Sequence, residues 1–148
     1  MLDTYKPMTK PAMQTVQTVL DLPEATSPLE LVDRINDGLP LRSVDAFAER
    51  AALEPALRYR IVAKATLAHR RKTKQGLSRE EGARLARGAK ILSLAEDVWG
   101  SLDEARAFLY RPHPMLEDRR PIDVTLDNEF GAELVEGILQ RLRFNSAA

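Results

Sequence analysis

From Ser27 onward, apolar residues in this 148-residue chain recur every three or four positions, and no segment sustains the alternation that a half-buried strand requires. The pattern predicts an all-α protein. A first helix opens at SPLELVDRINDG, where Ser27 can cap, Pro28 takes the first helical position, Glu30 completes a Ser-x-x-Glu box and Gly38 stops the run. A second fits residues 43–53, with Val44, Phe47, Ala48, Ala51 and Ala52 on one face. The stretch EPALRYRIVAKATLAHRRK, residues 54–72, divides into a short helix over 54–61, a tight turn at Val62 to Lys64, and another short helix. Ser78 and Glu81 form a second capping box. It opens a long helix to about residue 98, whose stripe is Leu85, Ala89, Leu92 and Trp99, flanked by Ile91 and Val98. Trp99 reads as a core residue at the helix end. Ser101 and Glu104 make a third box, the Pro-rich RPHPMLEDRRPIDV interrupts the chain, and a last helix fits residues 128–143. Its buried face is Leu134, Val135, Ile138, Leu139 and Leu142. Residues 1–27, with Pro7, Pro11, Pro23 and many Thr, read as a flexible arm.

With 44% hydrophobic residues the chain can fill one ordinary core or two small lobes. It has no Cys, which excludes disulfides, thiolate zinc sites and a Cys nucleophile, and its two His cannot by themselves hold a metal. No run reaches the roughly 20 apolar residues of a membrane span, and MLDTYKPMTK has no signal-peptide core, so a cytoplasmic location is expected.

Charge changes the picture. The chain is neutral as a whole, but residues 1–50 carry 5 basic and 8 acidic side chains, residues 51–90 carry 11 and 3, and residues 91–148 carry 6 and 11. The middle is a basic island. A run of charge is usually a solvated helix face, but here it falls on a short helix, a tight turn and a second short helix. A helix-turn-helix uses such an arrangement because phosphates need several cations and base edges need long hydrogen-bonding side chains. The candidate DNA-binding residues are Arg58, Arg60, Lys64, Thr66, His69, Arg70, Arg71, Lys72 and Lys74. Catalysis finds no support: His69 reads as a surface residue, His113 as a loop residue, and the adjacent Glu80 and Glu81, or Glu117 and Asp118, cannot face each other across a cleft. No phosphate loop, nucleophile elbow or His-Glu-x-x-His is present, and no cofactor is implied.

Beyond Gly76 the chain contains an L-S-x-x-E opening, R-L-x-R-x-A-x-I-L, V-W-G, A-x-x-F-L, P-H-P-M-L-E-D-R-R-P-I-D, E-F-G-A-E-L-V and L-x-R-L. These pieces resemble the C-terminal part of the Xre/MbcA/ParS antitoxins that are paired with RES-domain toxins. Upstream, ATLAHRRK is similar to that family's R-T-L-x-R-R segment, so the likeness spans about residues 29–143. After the flexible arm at 1–27, it implies a DNA-binding part at 28–75 and a toxin-binding domain at 76–148, in a non-enzymatic antitoxin. Its partners would be an NAD-consuming toxin and operator DNA, and the single-stripe helices together with the pairing of helix-turn-helix units on operators predict a homo-oligomer within the complex. The end of the chain, Arg141, Arg143, Phe144, Asn145, Ser146, Ala147 and Ala148, would lie in the toxin's active site, five of these residues reaching out beyond the last helix. At Asp118, Arg119 and Arg120 the chain departs from the family's Gly-Gly-Lys-type turn. The alternative is a helix-turn-helix regulator or adaptor without a toxin.

Overall fold

The computed structural model describes residues 16–147, with side chains as far as residue 145. A helical turn at residues 16–19 is followed by α1 (Pro28–Asp37), α2 (Arg42–Arg50), α3 (Pro55–Ile61) and α4 (Lys64–Thr73). Then come α5 (Arg79–Trp99), α6 (Leu102–Tyr110), a 3₁₀ turn (Pro114–Leu116), α7 (Pro121–Asp127) and α8 (Glu129–Ala147). No strand occurs among the described residues, so the all-α class holds. An isolated antiparallel bridge pairs His113 with Arg119.

The three serines act as caps, each satisfying a backbone donor that the first helical turn leaves open, a contribution of about 1 kcal/mol. Ser27 accepts from the Glu30 amide at 3.1 Å and Ser101 from the Glu104 amide at 3.1 Å. At α5 the box is complete: Ser78 accepts from the Glu81 amide at 3.2 Å, and the Glu81 carboxylate accepts from the Ser78 amide at 2.8 Å. Gly38 ends α1 at φ 114°, a conformation that strains any residue with a Cβ.

α5 is the axis of the molecule. Leu85, Ala89, Leu92 and Ala95 are fully buried on it, and one continuous core joins them to Phe47 and Ile61 on one side and to Leu109, Ile122, Val135 and Leu139 on the other. α8 runs parallel to α5, since Lys90 pairs with Glu136 at 3.3 Å and, seven residues further along both helices, Asp97 pairs with Arg143. A parallel neighbour needs a return connection, and α6, the 3₁₀ turn and α7 provide it.

Four readings require correction. The arm is not loose over residues 16–27: Val16, Val19, Leu20 and Leu22 are in the core, Ser43 donates to the Leu20 carbonyl at 2.5 Å, and the buried Gln17 amide donates to the Thr26 carbonyl. Residues 1–15 of that arm lie outside the described residues. The segment 121–127 is helical because Pro121 occupies a first-turn position, where its missing N–H costs nothing. α8 does not stop at Arg143 but continues to Ala147, since no Gly or Pro follows to end it. Finally, Leu134 is 46% exposed and Ala52, in left-handed backbone just past α2, is also exposed. The 113–120 turn still forms without glycines, with Glu117 at φ 55° and Asp118 at φ 63°.

Candidate functional site

The two short helices α3 and α4 are held as a unit by Leu57, Ile61, Val62 and Leu67, all buried. Pro55 starts α3, and extended backbone at Val62 and Ala63 breaks it from α4. Arg84, from α5, donates to the Ile61 carbonyl at 2.8 Å and the Arg60 carbonyl at 3.3 Å, satisfying acceptors at the α3 C-terminus. The turn is therefore fixed from behind.

The basic candidates divide into two sets. Four guanidiniums are engaged within the chain: Arg58 and Arg71 converge on Asp45 at 3.4 and 3.0 Å, Arg60 meets Asp123 at 3.3 Å and Asp127 at 3.9 Å, and Arg70 pairs with Glu81. Lys64, His69, Lys72 and Lys74 are exposed and make no ion pair among the described residues, and Thr66 is half-buried. Lys64 stands 5.9 Å over the ring of Tyr59, an exposed aromatic that the sequence reading missed. Arg42, the basic residue in the first turn of α2, lies outside the basic segment and pairs with Asp21 at 3.3 Å. Arg60 points toward α7 rather than joining the others.

Between this unit and the C-terminal helices lies a second polar cluster. Arg120 makes bonds of 3.1 Å to both Glu54 oxygens and 2.7 Å to Asp123, and packs 5.3 Å from the Tyr110 ring. Asp123 and then Glu54 hold its guanidinium above the ordinary arginine range. The Tyr110 hydroxyl donates to the Ala52 carbonyl at 2.8 Å and accepts from the Glu54 amide at 3.3 Å, and burial is the main cause that raises its pKa.

At the chain's end, Arg141 donates to the Met115 sulfur at 3.8 Å, Arg143 is held by Asp97, and Phe144 and Asn145 are exposed. The side chains of Ser146 and Ala147, and all of Ala148, lie outside the described residues. Nearby, Trp99 is 40% exposed and is not the core residue the pattern suggested. It meets Phe108 at 6.1 Å and borders a groove of about 270 Å³ with Arg111, His113 and Leu142. His113 caps the 3₁₀ turn, accepting from the Met115 amide at 3.1 Å, which agrees with a loop role. Among the described residues no group of His, Asp and Glu is arranged to hold a metal ion, and no helix is long and apolar enough to cross a membrane.

Residues 30–90 match the family description "Antitoxin Xre-like helix-turn-helix domain", and residues 94–144 match "Antitoxin Xre/MbcA/ParS C-terminal toxin-binding domain". The chain is also 31% identical over 125 residues to "Antitoxin Xre" of Pseudomonas putida, covering 84% of this chain and 79% of that one. This chain belongs to the Xre antitoxin family. As an Xre-family antitoxin it has a helix-turn-helix part and a toxin-binding part, and its partners are DNA and a toxin. The two matched segments of this antitoxin meet inside α5, between residues 90 and 94, so one helix belongs to both.

Proposed function

We propose that this antitoxin neutralises a RES-domain, NAD-consuming toxin in a type II system by covering its active site with the end of α8, and that it represses its own operon through α3 and α4. It acts by binding, without catalysis or cofactor, in the cytoplasm where its DNA lies. The observation that carries the neutralisation reading is the exposed Phe144 at the end of a 19-residue helix, within the segment matched as toxin-binding. Because α8 continues through this region, the blocking element is a helical end rather than an extended tail. Aromatic anchors of this kind contribute most where they fill a pocket on the partner. Arg141 and Asn145 flank it, and Arg143, braced by Asp97, sets the direction of the helix end.

DNA contact is assigned to Lys64, Thr66, His69 and Lys72 on α4, supplemented by Lys74 and by the guanidiniums of Arg58, Arg60, Arg70 and Arg71 where their acidic partners release them. Helix-turn-helix units pair on operators, so a homo-oligomer within the toxin complex is part of this reading. The test uses the full chain co-expressed with the product of the adjacent reading frame, which this reading expects to be a RES-domain protein. Phe144→Ala is expected to weaken the toxin complex at least tenfold and to let cellular NAD fall, whereas Lys64→Ala with Lys72→Ala should keep protection and lose operator binding. Full protection and unchanged affinity for Phe144→Ala would overturn the blocking role of the helix end. A toxin that leaves NAD intact would overturn the assignment of its chemistry.

A further inference from the structure

The end of α4 faces the start of α2 across an open cleft of about 580 Å³. Its walls are the Gly38–Leu41 loop with Arg42 on one side, and Arg70, Arg71, Lys74 and Gln75 on the other. Four of the lining side chains are cationic and none is a carboxylate.

The walls are fixed. The Leu77 amide donates to the Leu39 carbonyl at 2.8 Å, and Gly76 lies so close to that carbonyl that a Cβ would stand 2.9 Å from it. The three arginines are each anchored from outside the cleft: Arg42 by Asp21 at 3.3 Å, Arg71 by Asp45 and Arg70 by Glu81. A guanidinium has five N–H donors, so one carboxylate leaves donors over to point elsewhere. Lys74, in left-handed backbone at φ 57° where α4 ends, adds an ammonium without any such partner among the described residues. Like-signed groups packed round one hollow repel each other, and an anion placed there relieves that repulsion.

The position of the cleft identifies the anion. α4 has 10 residues and is about 15 Å long, whereas the major groove is about 12 Å wide. When the Lys64 end of α4 reaches base edges, the Lys74 end therefore stands at the groove's rim, where the phosphates run.

We propose that this cleft seats a backbone phosphodiester of the DNA strand bordering the groove that α4 enters, with Arg42 and Lys74 as the side chains that hold it. Arg42 thereby becomes a DNA contact supplied by α2, outside the helix-turn-helix itself. The inference rests on the reading that α4 enters DNA.

The test is a salt titration of the full chain on two duplexes of equal length, one from the region upstream of its own gene and one unrelated, with Arg42→Gln, Lys74→Gln and the double variant. A phosphate seat carries no sequence information, so the double variant should weaken both duplexes by the same factor, about tenfold at low salt, and lower the slope of log K against log salt by about one. Lys64→Ala, at the base-reading end, should by contrast weaken the upstream duplex more than the unrelated one. Unchanged affinity and slope in the double variant, with the wild type still binding, would overturn the cleft while leaving the DNA reading intact. Weakening of the upstream duplex alone would overturn it too, by making the pair a base-reading element. If the wild type binds neither duplex, the DNA reading and this proposal fall together. An inorganic phosphate titration that still shifted the Gln75 and Gly76 amide resonances would then reassign the cleft to a free phosphate anion. Circular dichroism melts of each variant separate these outcomes from loss of folding.

Discussion

Phe47 is fully buried against the long helix, and a Cβ added at Gly88 would stand 2.7 Å from the end of its ring. Alanine is favoured over glycine in a helix interior by about 1 kcal/mol. Here the overlap outweighs that preference, because a ring enclosed on all sides cannot swing away as a flexible side chain would. Gly88→Ala is expected to destabilise the protein by about 1 to 3 kcal/mol, the usual cost of overpacking, measured by urea denaturation. A variant as stable as the wild type would show that the ring can shift. The sequence names Gly88 but not its neighbour, since the contact joins positions 41 residues apart. The same blindness explains Leu134. It lies beside a true stripe of Val135, Ile138 and Leu139, and no element among the described residues covers it or the exposed Phe130.

At the scale of elements, local signals were the legible ones. Ser27, Ser78 and Ser101 cap where the spacing of Ser and Glu says they should, because a cap involves atoms three residues apart. Pro121 was ambiguous for the same local reason: proline both ends and begins helices, and what decides here is that Ile122 and Leu126 find a core to enter. The contacts tying α2, α3, α6 and α7 together were invisible in the sequence, and Tyr110 shows what they do. Its folded pKa is raised, so the stability from its protonated hydroxyl is complete below the unfolded value of about 10 and is lost as pH rises through the folded value above it. Tyr110→Phe should lose up to about 1 kcal/mol at pH 7 through the missing hydrogen bond to Ala52. The deficit should shrink above about pH 10, where the wild type alone loses this stability. A constant difference between the two from pH 7 to 11 in chemical denaturation would refute this role.

For the whole molecule, the family resemblance and the all-α class were readable because repeated motifs and periodicity survive without knowledge of contacts. The number of available cations was not. Residues 51–90 carry 11 basic side chains against 3 acidic, yet Asp45, Asp123 and Asp127, all from outside that segment, fold back onto Arg58, Arg60 and Arg71. Asp45, held between two guanidiniums, has a thermodynamic consequence for DNA binding. It is a covalently attached counterion, which a phosphate would have to displace from Arg58 and Arg71 if these arginines contact DNA as proposed. On the proposed reading of α3 and α4, Asp45 offsets two of the cations that would attract DNA regardless of sequence, so that discrimination falls more heavily on α4. Asp45→Asn should therefore raise affinity for an unrelated duplex several-fold at low salt and steepen the salt dependence, narrowing the margin between cognate and random sequence. Unchanged binding to the unrelated duplex in a salt titration would show that the two arginines never leave Asp45. If they do leave it, this carboxylate keeps the free antitoxin from being titrated away by the bulk of the chromosome.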